Sequence, residues 1–244
     1  MKKLTLLAAS ILSVGLMSCD NDVNTAPDPI SNVPSDPAPT FSFDFNVEDY
    51  NTEVIFSDYP QGEEIFYELT SAFENLPDIF SGTKGWKLSG NNHSDDLFMG
   101  IKLPTNGLLG ATLYRATLEV EFVTNVSKGC MGIGGPPGEG VSVKLAASKD
   151  EPTNELDNSD IYRLNIDIGN QIQSGTEGLT VGNIANSIEC GADLVYEKKT
   201  LSMTESIDVM SNDDGTVWLT VGFDSGFEGN TEIFITKLTA NIVE

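Results

Sequence analysis

Positive charge is scarce in this chain: 13 Lys and Arg stand against 37 Asp and Glu in 244 residues, a net charge of −24. Nucleic acids and anionic lipid surfaces are bound through Lys and Arg that neutralise phosphates, so this balance excludes both as partners. Histidine occurs once, as His93, and cysteine three times, with no Cys-x-x-Cys or Cys/His spacing. Zinc sites of the finger or ribbon kind are thereby excluded, because they need soft ligands at close spacing. The longest apolar stretch, Leu4 to Met17, falls short of the roughly 20 residues that a membrane-spanning helix needs. No internal repeat and no alternation of strands with helical patterns occurs, which excludes solenoids and parallel α/β folds.

What is present begins at the N-terminus. Lys2 and Lys3 precede the apolar stretch, and Leu16-Met17-Ser18-Cys19 closes it with a small residue before a cysteine. This arrangement resembles bacterial lipoprotein signals, which implies removal of residues 1–18 and acylation of Cys19 as the mature N-terminus, tied to a lipid bilayer. Losing Lys2 and Lys3 takes the net charge from −24 to −26. Residues 19–40 carry Pro27, Pro29, Pro34, Pro37 and Pro39 among small polar residues, so they read as a tether. Such segments extend at about 3.1 Å per residue and hold a domain away from the membrane. The expected location is the bacterial cell envelope. Asp20 resembles an inner-membrane retention signal and Asp20-Asn21-Asp22 a surface-export signal, leaving periplasmic face and cell surface both open. With Cys19 consumed by lipid, Cys130 and Cys190 remain as an even pair in a compartment that permits disulfides, and are expected to be bonded.

Residues 41–244 read as one all-β domain, an antiparallel β-sandwich of jelly-roll type. Phe41, Phe43, Phe45 and Val47 alternate with polar residues, as do Tyr114, Ala116, Leu118, Val120 and Phe122 with Arg115, Thr117, Glu119 and Glu121. Period-2 alternation marks half-solvated strands. Further strands are expected at 52–58, 64–71, 95–103, 140–147, 161–168, 193–209 (as one or two), 215–223 and 231–243, with 63–75 the single competing helix. Turn residues such as Asn106-Gly107 and Asp213-Asp214-Gly215 separate them.

Several stretches bear on chemistry. Gly129-Cys130-Met131-Gly132-Ile133-Gly134-Gly135-Pro136-Pro137-Gly138-Glu139-Gly140 lacks the Gly-Lys-Ser/Thr and the following helix that a phosphate cradle needs, so no organic cofactor is expected and a structural loop is preferred over an anion nest. Asn91-Asn92-His93-Ser94-Asp95-Asp96 is a polar turn or a calcium-binding segment. Neighbours in an extended chain face opposite ways, which disfavours a nucleophile system at His93 and Ser94. Arg163, Asn165 and Asp167 fall on one strand face, about 6.6 Å apart in succession, the spacing of sugar hydroxyls or of an ion's ligands. Trp218 falls opposite Val217, Leu219, Val221 and Phe223, either covered by a neighbouring element or serving as a stacking platform.

The ordered set GNNHSDDLFM at 90–99, GCMGIGGPPGEGVSVK at 129–144, NIDIGNQ at 165–171 and DSGFEG at 224–229 resembles a family of bacterial secreted and lipid-anchored proteins. The resemblance spans residues 41–244 and implies kinship without an activity. More loosely, Phe43-Asp44-Phe45 and Ile233-Phe234-Ile235-Thr236-Lys237-Leu238 resemble the ends of carbohydrate-binding jelly rolls. Thr236-Lys237 departs from the acidic residue such modules often carry there, which argues against their shared calcium site.

The functional expectation is therefore a non-catalytic envelope module that binds a glycan or another envelope component, with Trp218, Arg163 and Asn165 as ligand-binding residues. Calcium is expected on Asp95, Asp96, Asp167 and Asp224 if the acidic motifs converge, since unneutralised carboxylates repel one another. Two alternatives stand beside it: an extracytoplasmic hydrolase or lyase using His93 with those carboxylates, and a structural lipoprotein with a protein partner.

Overall fold

A computed structural model describes residues 39–94 and 96–244. The signal sequence, Cys19 and nearly all of the expected tether lie outside the described residues, as does Asp95. In chain order the strands are β1 (Thr40–Asp44), β2 (Glu53–Ser57), β3 (Thr70–Asn75), β4 (Lys84–Asn91) and β5 (Leu97–Pro104). Next come β6 (Leu113–Thr124), β7 (Val141–Ser148), β8 (Asn154–Leu156), β9 (Tyr162–Leu164) and β10 (Gly178–Asn183). The last are β11 (Glu197–Ser202), β12 (Ile207–Met210), β13 (Trp218–Ser225) and β14 (Asn230–Val243). A short 3-10 turn at Asp78–Phe80 is the one helical element among the described residues.

Seven strands form one sheet, with β11, β6, β14, β4 and β3 as successive neighbours, β1 beside β14 and β12 beside β6. Five form the second in the order β10, β7, β13, β5, β2, and every strand pairing is antiparallel. The fold is the expected all-β, jelly-roll-like sandwich. Its core is the sum of the alternating faces: Ala116, Leu118, Val120 and Phe122 of β6 meet Leu219, Val221 and Phe223 of β13. The Phe122 and Phe223 rings meet edge to face at 5.5 Å, a preferred arrangement of ring quadrupoles. On β14 the inward set Ile233, Ile235 changes phase to Leu238, Ala240, Ile242 across a bulge between Ile235 and Lys237. One extra residue is what such a phase change requires.

Residues 64–69 are not the expected strand. Glu63 to Leu69 turn tightly, with the Tyr67 amide donating to Glu63 O at 2.9 Å and the Leu69 amide to Glu64 O at 3.0 Å, and Glu68 at φ +51. These local bonds outcompete sheet pairing and leave Ile65 and Phe66 at the surface. The expected strand at 161–168 pairs only over β9, because Asn165 and Asp167 are engaged by neighbouring loops.

The outer face of the five-stranded sheet carries a second layer. Segment 149–177, which includes β8 and β9, crosses it, and Leu164, Ile166 and Ile168 pack on Ile55, Phe98 and Ala146. Gly100 and Gly222 lie opposite each other in the register, and their missing side chains make room for the buried Phe98 ring. The glycine-rich loop is a structural one: Cys130 is bonded to Cys190, with Cα atoms 5.0 Å apart, and Gly134 takes φ +72 against the Gly226 backbone.

Candidate functional site

Antiparallel pairing decides where the acidic motifs go. Asp224, near the end of β13, pairs with Phe98 near the start of β5, which draws Asp96 alongside. Neighbouring loop residues bring the two carboxyls together, Asn170 binding Asp96 and the Gln171 amide binding Asp224. Asp224 is 2 % exposed; its Oδ2 accepts the Gln171 amide at 2.7 Å and lies 3.7 Å from Lys144 Nζ. Asp96 Oδ2 accepts Asn170 Nδ2 at 2.8 Å. Asp96 Oδ1 and Asp224 Oδ1 are buried and receive no donor. Residues from NHSDD, NIDIGNQ and DSGFEG therefore meet.

Burial, then the adjoining Asp224 carboxyl and its charge, push the Asp96 pKa up to about 9. Lys144, in the middle of β7 and 1 % exposed, donates to Ile168 O at 3.2 Å and Gln173 O at 2.6 Å. Burial lowers its pKa while the Asp224 charge opposes that effect. Beside this pair, Arg163 Nη1 binds Asp58 Oδ1 at 2.6 Å and its Nε binds Asp157 Oδ2 at 3.2 Å. Burial raises the Asp58 pKa, with the Arg163 hydrogen bond and charge acting against it.

A ledge of aromatic rings adjoins the carboxylates. Tyr67 Oη donates to Ser94 Oγ at 3.0 Å, which donates to Asp96 O at 3.2 Å. Tyr59 lies 5.8 Å from Tyr67 and 5.2 Å from Tyr162 between ring centres. Burial, then the nearby Glu64 charge, push Tyr59 up to about 12. His93 stacks on Phe66 at 4.1 Å and 23°, with the Tyr67 ring edge-on at 5.5 Å. Phe66 is nevertheless 56 % exposed and Ile65 92 %. A cleft of about 440 Å³, lined by Glu64, Glu68, Leu69, Thr70, Ser89 and Asn230, runs past Ile65.

The remaining residues singled out in the sequence are placed elsewhere or otherwise engaged. Asn165 Oδ1 accepts the Thr153 amide at 2.8 Å and its Nδ2 donates to Glu151 O at 2.9 Å, so its amide ties two loops together. Asp167 accepts the Thr176 amide and hydroxyl, both at 2.9 Å, and the Gly169 amide at 3.1 Å. Those bonds lower its pKa and leave it a loop clasp. Arg163, Asn165 and Asp167 alternate with the inward-packed Leu164, Ile166 and Ile168, and each is engaged by neighbouring loop groups or carboxylates. Trp218 stands at the opposite end of β13 from Asp224, half-buried, with Lys102 Nζ 5.5 Å from its ring centre and Glu53 3.2 Å from that ammonium. The Ser94 hydroxyl is engaged by Tyr67 and the Asp96 carbonyl, while the ring contacts of His93 are Phe66 and Tyr67.

Asp58, Lys144, Phe66 and Tyr59 complete the site and were not singled out in the sequence. Lys144 had a signal: it interrupts Val141-Ser142-Val143-Lys144-Leu145-Ala146-Ala147, a strand buried on both faces, where an ammonium needs a partner.

No protein-family model matches the chain, and no curated protein matches it by sequence. Among solved structures it is similar to a putative sugar-binding protein from Bacteroides thetaiotaomicron, at 12 % identity over 78 % of this chain and 87 % of that one, TM-score 0.36. It is also similar to the mannan-recognising module TmCBM27, at 13 % identity over 85 % and 99 %, TM-score 0.35. TmCBM61, solved with β-1,4-galactotriose, matches at 12 % identity over 81 % and 92 %, TM-score 0.35.

Proposed function

We propose that this is a non-catalytic glycan-binding module, held to the bacterial envelope through acylated Cys19, whose ligand stacks on the Phe66–His93 ledge. The observation that carries this reading is a phenylalanine fixed flat against an imidazole yet 56 % exposed. Phe66 has its orientation set before any ligand arrives, which lowers the ordering cost of binding. Apolar sugar faces pack on aromatic planes, while hydroxyls need convergent polar groups. Glu64, Glu68, Ser89 and Asn230 in the adjoining cleft supply these. A net charge of −24 repels acidic polysaccharides, so the ligand is a neutral glycan.

The test is a neutral-glycan array probed with the full-length protein and with Phe66→Ala. Retention of at least one neutral glycan, lost by at least tenfold in Phe66→Ala at unchanged melting temperature, is expected. Silence across the array, or equal binding by the variant, overturns the reading.

A further inference from the structure

We propose that Asp96 and Asp224 are the carboxylate pair of a binding site for a divalent hard cation of the calcium type, lying between the start of β5, the end of β13 and the 168–173 loop. Two observations converge on it. Asp224 is 2 % exposed, and its Oδ1 receives no donor, while Oδ2 accepts the Gln171 amide and lies 3.7 Å from Lys144 Nζ. Asp96 Oδ1, just before β5, is likewise buried without a donor, and the adjacent Asn170 and Gln171 bind Asp96 and Asp224 in turn. Buried carboxylate oxygens without partners carry a heavy desolvation cost, which a bound cation repays.

Local charge supports a doubly charged occupant. Asp58, Asp96, Asp157, Asp167 and Asp224 are faced by Lys144 and Arg163, so negative groups outnumber positive ones around the pair. Lys144 does not fill the gap: it lies 3.7 Å from Oδ2 of Asp224 and donates to Ile168 O and Gln173 O. Among the described residues no group of three or more His, Cys, Asp or Glu side chains is gathered for an ion. A cation held by two carboxylates, with uncharged oxygens and water filling the rest of its shell, has a low ligand charge, which corresponds to dissociation constants of about 0.1 to 1 mM, as in extracellular modules. Asp167, expected as a ligand from the sequence, is outside this set because Thr176 and Gly169 hold its oxygens.

The inference is independent of glycan binding, and its readout needs no sugar. Full-length protein is melted in chelator and in calcium chloride up to about ten times the dissociation constant, where linkage gives a rise of roughly 3 to 6 °C. Terbium luminescence excited through tyrosine, displaced by calcium, provides a second reading, with Tyr67 linked to Asp96 through Ser94. Asp96→Asn and Asp224→Asn are expected to abolish both responses, and Asp167→Asn to retain them. If Asp224→Asn fails to fold, Asp96→Asn decides alone. No response in the wild type overturns the proposal. A response that survives Asp96→Asn also overturns it, because the ion is then screening the acidic surface.

Discussion

Lys144 Nζ donates to the main-chain carbonyl of Gln173 at 2.6 Å, so a side chain from the middle of the five-stranded sheet fastens the loop that crosses it. The same ammonium holds Ile168 O and lies 3.7 Å from Asp224. One buried charge thus joins three parts of the chain: β7, β13 and the covering segment 149–177. The sheet face is apolar under Leu164, Ile166 and Ile168 but ionic where the segment turns past Asp224.

Replacing Lys144 by methionine keeps the apolar stem and removes the ammonium. Asp224 then stays buried without its counter-charge, and two loop carbonyls lose their donor. Breaking one side of a buried pair costs about 3 to 5 kcal/mol. Urea unfolding of Lys144→Met is expected to show that loss, with faster proteolysis within 168–177. A change below about 1 kcal/mol, within the range of surface substitutions and their errors, would mean that Lys144 does not fasten the cover.

Gly222→Ala tests the apolar half of the same seam. An added Cβ collides with the Phe98 ring, which is fully buried and also sits against Gly100. Overpacking of a filled site costs about 1 to 3 kcal/mol. The double variant Gly222→Ala, Phe98→Leu is expected to recover part of the loss. If the single variant is as stable as the wild type, the ring is not confined there.

How far the sequence disclosed this depends on where each partner lies. β6, β13 and β14 were legible because each has one face on the core, so apolar and polar residues alternate. β4 and β10 were not, since Gly85, Gly90, Gly178 and Gly182 interrupt the pattern; a Cβ at Gly85 would press on the Ile235 carbonyl at 2.8 Å. β8 and β9 span three residues each, too short for any period to show. Of the site, the meeting of the Asp96, Asp224 and Asn170-Gln171 motifs was conceivable from their shared composition. The Arg163–Asp58 pair, 105 positions apart, was not. Trp218 drew attention by residue type, whereas the exposed ledge at Phe66 depends on a turn at Glu63–Leu69 whose residues suggested a strand.

The bond between Cys130 and Cys190 closes a separation of 60 residues. On the chain-entropy account a loop of that length stabilises the fold by about 4 kcal/mol. The Cys130→Ser, Cys190→Ser double variant is expected to lose stability of that order in denaturant, while the oxidised wild type shows no alkylatable thiol at either position. Full alkylation of the native, unreduced protein would remove the bond and this stabilisation together.

Acid is expected to loosen the covering segment before the sandwich. Asp157 has its pKa lowered by the amides of Ser159 and Ile161, with Arg163 adding to them, and Asp167 by the amide and hydroxyl of Thr176 and the Gly169 amide. A carboxyl held below its unfolded value, about 3.9, contributes stability that is complete above that value and disappears as pH falls through the folded one. Both clasps belong to segment 149–177, and Arg163 stays charged throughout this range. The core strands β6 and β14 rest chiefly on apolar packing, with one lowered carboxyl, Glu121, held between them by Thr236 and Lys198. Pepsin cleavage or hydrogen exchange followed from pH 6 down to about pH 2.5 should therefore show 149–177 losing protection below about pH 4. Protection of β6 and β14 should persist to lower pH. In the Asp157→Asn, Asp167→Asn variant the segment should be less protected at pH 6 and respond little to acid. Loss of protection in one step shared by the cover and the core strands would show that these two carboxylates do not set the acid response.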